Sequence, residues 1–310
     1  MVTVWYPAQK GTREHLSFVS VFEAGWSTKD ADISNSKEKY PLIMLSHGTG
    51  GFAASIAWLG KKLARRGFIV AAVNHHGNTG AESKTLLQGF VLWWERPRDI
   101  SVLIDRLIDD ALMGPKIDAH NIGVAGFSLG GYTALATVGA RLDIEKWGTY
   151  CAGKPSDPQC SLPPEAPFTM DEAKVFIESN ADALESWKYA DDDFSDKRIK
   201  AAYVIAPVLG PVISPRSLAK IDVPVKIVAG GSDDQGIPAL NAMPISGLIP
   251  NSRLLVMPHV THYMFLTRGN IAGRIMARRY FIDPEGTDRT KVQDDVGDDA
   301  TAFFNRHLKN

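Results

Sequence analysis

Five apolar runs do most to restrict how this chain can fold: "PLIMLSH" at 41–47, "FIVAAVNHH" at 68–76, "NIGVAGFS" at 121–128, "IKAAYVIAP" at 199–207 and "VPVKIVAGG" at 223–231. A strand wetted on one face alternates apolar and polar residues. These runs barely alternate, which is the pattern of strands covered on both faces in a parallel sheet. Helical stretches lie between them. In "ISVLIDRLIDDALM", Ile100, Leu103, Ile104, Leu107 and Ile108 repeat at i, i+3, i+4, i+7 and i+8 and so form one apolar stripe. Gly67 ends the helix expected through "IAWLGKKLARR". Strand and helix in alternation require right-handed crossovers and give a doubly wound α/β fold, mostly parallel with helices on both faces. Strand-like runs at 2–6 and 15–22, separated by Gly11, are expected to pair as a hairpin, and a last strand is expected within 253–260.

Residues 141–198 break this rhythm. Thr169 and Glu172 form a capping box ahead of a helical stripe, but no buried-strand pattern appears. We read 141–198 as an insertion, a lid or pocket wall, within one domain spanning 1–310. With 45% hydrophobic and 22% charged residues, the chain can bury a sizeable core. A net charge of −1 gives no footprint for nucleic acid or an anionic membrane, and no run is long enough to span a bilayer. Cys151 and Cys160 flank a segment containing Gly, Ser and two Pro, suited to a small disulfide-closed loop. Such a bond favours a periplasmic or secreted protein whose signal peptide has been removed, and its absence a cytoplasmic one. "MVTVWYP" opens as a strand already under way, so Met1 need not be the native start.

The decapeptide "GVAGFSLGGY" at 123–132 sets Ser128 between Gly126 and Gly130, where a buried strand hands over to an Ala-rich helix. Three fixed positions of this kind recur by chance in about one in ten chains of this length. The strand–turn–helix setting makes the match informative, because it presents a serine as a nucleophile. A serine hydroxyl needs a base. Of the histidines, His262 best fits the loop beyond the last strand, with His259 the other candidate. The imidazole needs a carboxylate to fix its tautomer. "GSDDQGIP" supplies Asp234, preferred on its spacing from Gly231 and Pro238, with Asp233 as the alternative acid. The backbone N–H of Leu129 and that of Thr49, in "LSHGTGGF", are the expected oxyanion donors. The order Ser128, Asp234, His262 is that of the α/β-hydrolases. His75, His76, Trp93 and Trp94, with Trp147 and Trp187 of the insertion, are candidates for the substrate pocket. No metal or cofactor is called for.

"HGTGG", "GFSLGGY", "GSDDQGIP" and "HVTHYMFL" together resemble the α/β-hydrolase superfamily. "VWYPA", "NHHGNTG", "ERPRDISVLIDRL" and the C-terminal "FIDPEGTDRTKVQDDVGDDATAFFNRHL" narrow the resemblance to bacterial proteins called predicted dienelactone hydrolases, relatives of platelet-activating-factor acetylhydrolase. It covers the chain outside 141–198. Dienelactone hydrolases carry a cysteine at the turn where this chain has serine, so the resemblance implies ester hydrolysis through an acyl-serine. Its implied substrates are small-molecule or lipid-like esters with short acyl or moderately hydrophobic groups, polyester-like ones included. A peptidase or amidase with the same three residues, or a silent binding module, are the alternatives.

Overall fold

A computed structural model describes residues 2–154 and 157–309, apart from the side chain of Gln159. Nine strands occur among the described residues: β1 (Val2–Trp5), β2 (His15–Val19), β3 (Phe22–Ser27), β4 (Tyr40–Ser46), β5 (Ile69–Val73), β6 (Ile117–Phe127), β7 (Ile199–Ile205), β8 (Val225–Gly230) and β9 (Ser252–Met257). Seven form one sheet in the order β1-β5-β4-β6-β7-β8-β9. Only β1 runs antiparallel to its neighbour.

The near-continuous apolar runs have a direct cause in this layering. Along β4, Leu42 and Met44 face one core, with Ile100, Ile104 and Leu107 of the helix Arg96–Ile108 and Leu135 of the helix Leu129–Ala136. Ile43 and Leu45 face the other, with Leu59 and Leu63 of the helix Ala57–Arg65 and Val296 and Phe304 of the helix Arg289–Leu308. Neither face of the strand meets water, so neither can be polar. Gly67 ends the first of those two helices with φ of +86°, and Thr169 caps the helix Met170–Ser179 reciprocally with Glu172.

The N-terminal pairing departs from expectation. β1 pairs with β5, Val2 opposite Val73, rather than with the next strand. The 15–22 run divides at Ser20, where φ is +53°, and its first half pairs with β3 in a separate two-stranded ribbon. β3 reads "FEAGWS", with a glycine inside it and no apolar run, so the sequence pattern does not mark it as a strand. Among the described residues of 141–198 there are three α-helices, Ile144–Gly153, Met170–Ser179 and Ala181–Trp187, and Cys151 is bridged to Cys160. Trp147 and Trp187 from this segment meet Trp93 and Trp94 ring to ring, with centroids 5.1 and 5.4 Å apart.

Candidate active site

The C-terminal ends of β4, β6, β8 and β9 open onto one rim, where ligands bind in open α/β sheets. At the end of β6 the chain reverses so sharply that Ser128 takes φ of +58° and ψ of −120°. A side chain in that region costs about 1–3 kcal/mol and persists only where its surroundings enforce it. They do so here. A Cβ at Gly126 would lie 1.9 Å from the carbonyl oxygen of Gly130, and one at Gly130 would lie 2.0 Å from that of Ser46. Both obstacles are backbone, so both positions require glycine. The Ser128 N–H donates to the carbonyl of Ile205 at 2.9 Å, tying the turn to β7.

His262 opens the 3₁₀ turn His262–Phe265, beyond β9, and is buried. Its Nε2 lies 2.9 Å from Ser128 Oγ, and its Nδ1 lies 2.7 Å from Asp233 Oδ2. The network sets the tautomer: Nδ1–H donates to the carboxylate, and Nε2 accepts from the serine hydroxyl. Asp233 Oδ1 also accepts the N–H of Gln235 at 2.9 Å and of Gly236 at 2.7 Å. The preference for Asp234 is thus corrected: Asp234 is exposed, and Asp233 is the residue bonded to His262. One carboxylate both caps the turn after β8 and holds the imidazole, so the turn points Asp233 inward and its neighbour out. His259 is exposed, at φ of +62°.

Thr49 follows β4 and lines the same cavity as Ser128, His262 and Leu129. Among the described residues, neither the Thr49 N–H nor the Leu129 N–H has a hydrogen-bond acceptor. Gly48 keeps the space clear, since a Cβ there would sit 3.2 Å from Ser128 Cβ. The cavity measures about 760 Å³ and is walled by Phe90, Val91, Trp93, Trp147, Leu209 and Phe281. Part of the 141–198 segment closes it, through Leu162, Met170 and Ile177 among others. Glu165 from that segment accepts the Tyr263 hydroxyl at 2.7 Å, immediately beside His262. Burial, and then the Glu165 charge, raise the Tyr263 phenol above its ordinary value. Phe90, Leu209 and Tyr263 carried no signal separating them from ordinary core residues.

Three expected pocket residues lie elsewhere. Trp94 is fully buried in the core, and its indole N–H donates to Ser186 at 2.9 Å. His76 is exposed and pairs with Glu82 at 2.9 Å. His75 faces inward, where its Nε2 accepts from Ser46 Oγ at 2.8 Å and its Nδ1 meets Asp99 Oδ2 at 2.7 Å. Burial, and then the nearby Arg96 charge, hold His75 well below the usual imidazole range. Only Trp93 of the four reaches the cavity.

The chain is similar to several known proteins. Residues 14–89 match the family of platelet-activating factor acetylhydrolase, isoform II. A cutinase of Thermobifida alba is 32% identical over 108 residues, 34% of this chain and 32% of that protein. Platelet-activating factor acetylhydrolase of Bos taurus is 27% identical over 143 residues, covering 33% and 32%. Bis(hydroxyethyl) terephthalate hydrolase of Streptomyces coelicolor is 26% identical over 130 residues, covering 42% and 38%. The matches therefore span roughly a third of these curated relatives' lengths. A solved ferulic acid esterase from Streptomyces cinnamoneus superposes with a TM-score of 0.65 at 20% identity, over 99% of this chain and 82% of that one, a likeness of fold.

Proposed function

We propose that this chain, an α/β-hydrolase resembling the platelet-activating factor acetylhydrolases, hydrolyses carboxylic esters through an acyl-serine formed at Ser128. The observation that carries this reading is the hydrogen-bonded line from Asp233 through His262 to Ser128, opening on an apolar cavity. His262 Nε2 takes the serine proton as Oγ bonds to the ester carbonyl carbon, and the carbonyl π pair moves onto oxygen. That oxyanion is met by the N–H groups of Thr49 and Leu129, each donor worth on the order of 10² to 10³ in rate. The imidazolium then passes its proton to the departing alkoxide, leaving the acyl-serine. Water, deprotonated by the same imidazole, then adds to the acyl carbon, and as the bond to Oγ breaks the imidazolium returns its proton to Ser128 and the acid leaves. Asp233 keeps the proton on Nδ1 throughout and stabilises the imidazolium.

The cavity favours esters with short acyl or moderately hydrophobic groups, since its walls are aliphatic and aromatic and its volume of about 760 Å³ falls within the range of small-molecule sites. We take the 141–198 segment to be a pocket wall within a single domain. The test is labelling with a fluorophosphonate, followed by peptide mapping, beside turnover of p-nitrophenyl esters of increasing acyl length. Modification at Ser128 and turnover lost in Ser128→Ala are expected. A protein that is neither labelled nor active on any ester refutes the proposal.

A further inference from the structure

Next to the Thr49 loop, and outside the cavity lining, lies a buried polar cluster that the mechanism above does not use. It contains Ser46, His47, His75 and Arg96, all buried, together with Asp99. The Ser46–His75–Asp99 line repeats the bonding of Ser128, His262 and Asp233, but Ser46 has no exposed surface and cannot meet a substrate. The cluster converges on His47. The His47 carbonyl accepts from Arg96 Nη2, its ring Nε2 accepts the His75 N–H at 3.2 Å, and its ring Nδ1 lies 2.7 Å from the carbonyl oxygen of Gly48. A backbone N–H can only donate to Nε2, so the imidazole proton must sit on Nδ1 and point at Gly48. Burial, and then the Arg96 charge, hold His47 well below the usual imidazole range and keep this neutral tautomer.

From this geometry we infer that His47 is a positioning residue for the oxyanion site: by gripping the Gly48 carbonyl, it aims the N–H of Thr49, across the Gly48–Thr49 peptide plane, at the negative charge that develops on the substrate's carbonyl oxygen. The inference rests on the esterase reading. No cis peptide occurs among the described residues, so the Gly48 C=O and the Thr49 N–H point in opposite directions. A second bond, from the Gly51 N–H at 3.1 Å, pulls the same carbonyl the same way. With the oxygen fixed toward His47, the Thr49 N–H points away from His47, and Thr49 lines the cavity shared with Ser128. Arg96 keeps two of its nitrogens, Nε and Nη1, without a partner among the described residues. A buried guanidinium so poorly satisfied is costly, and its bond to the His47 carbonyl gives it a place in this arrangement.

The test separates binding of an oxyanion from binding of the substrate's shape. A trifluoromethyl ketone adds to Ser128 and carries an oxyanion, whereas an ether of the same size carries none. His47→Leu is expected to lower kcat/KM and ketone affinity together, by about 10² to 10³-fold, while ether affinity stays within about threefold. His47→Asn, whose amide can stand where Nδ1–H stood, recovers most of the loss, and His47→Gln, whose amide stands nearer Nε2, does not. Ketone and ether affinities that fall in parallel, or no fall at all, overturn the inference. Should His47→Leu fail to fold, the Asn and Gln variants decide: equal ketone affinities overturn it, and at least tenfold weaker binding by Gln supports it. A wild-type protein inactive on esters and unlabelled at Ser128 would instead refute the esterase reading.

Discussion

Asp233 Oδ2 stands 2.7 Å from Nδ1 of His262, while Asp234, the next residue, turns to solvent. Two adjacent carboxylates therefore have opposite expected sensitivities. Asp233→Asn leaves the geometry but favours the wrong imidazole tautomer, so kcat on a p-nitrophenyl ester falls by about 10³ to 10⁴. Asp234→Asn stays within about twofold of wild type. Steady-state kinetics on the pair checks this, and equal losses would sink the assignment.

Gly130→Ala drives a methyl group to 2.0 Å from the Ser46 carbonyl oxygen, which belongs to the central strand and cannot yield. Unfolding free energy should drop by more than about 3 kcal/mol in denaturant titration, with activity lost even where folded protein is recovered. Gly148→Ala is the contrast. Gly148 lies inside the helix Ile144–Gly153 and a Cβ there meets nothing, so alanine should add up to about 1 kcal/mol.

Burial pushes the Asp99 carboxyl up to about 6, against the opposing pull of Arg96 and His76. The folded chain therefore holds a proton that the unfolded chain releases nearer 4. The associated stability is complete at the acid end of that window and is lost as pH rises through about 6. Asp99→Asn does not titrate. The Tm advantage of wild type over this variant should shrink from pH 4.5 to 6.5 and level off above. Asp99 keeps some contact with water, so the amplitude is modest. A difference independent of pH would contradict the stated shift.

Trp147 reaches the cavity from the 141–198 segment and leans on Trp93. Trp147→Ala should move the preferred acyl chain at least two methylenes longer while destabilising the fold by about 1–3 kcal/mol. An unchanged chain-length profile would remove Trp147 from the substrate wall.

The parallel sheet was legible because covering both faces of a strand leaves a continuous apolar run, a signal carried by each strand alone. Edge pairing has no such local mark. Nothing within Val2–Trp5 says whether it joins His15–Val19 or Ile69–Val73, and the structure chooses the latter. Ser128 and His262 were readable because a glycine-framed turn and a post-strand loop fix their places along the chain. The carboxylate bonded to His262 was missed because spacing from Gly231 and Pro238 ignores turn chemistry. An aspartate two residues before Gln235 and three before Gly236 can accept both amides, and that local bond orients its carboxylate. His47 passed as the plain end of a strand. Its importance comes from Arg96 and His75, which converge on it from 49 and 28 residues away, and no local pattern reports such convergence.

Ser128, Asp233 and His262 hang from the ends of β6, β8 and β9, and those strands share one plane only through their parallel ladders and through β7 between them. Ser128 and His262 stand 134 residues apart along the chain. Ladders of such long reach close late, because their loop entropy must be overcome before any contact rewards it. Reactivity at Ser128 is therefore expected to report on the whole sheet: during refolding, fluorophosphonate labelling there should return only after helical signal has recovered.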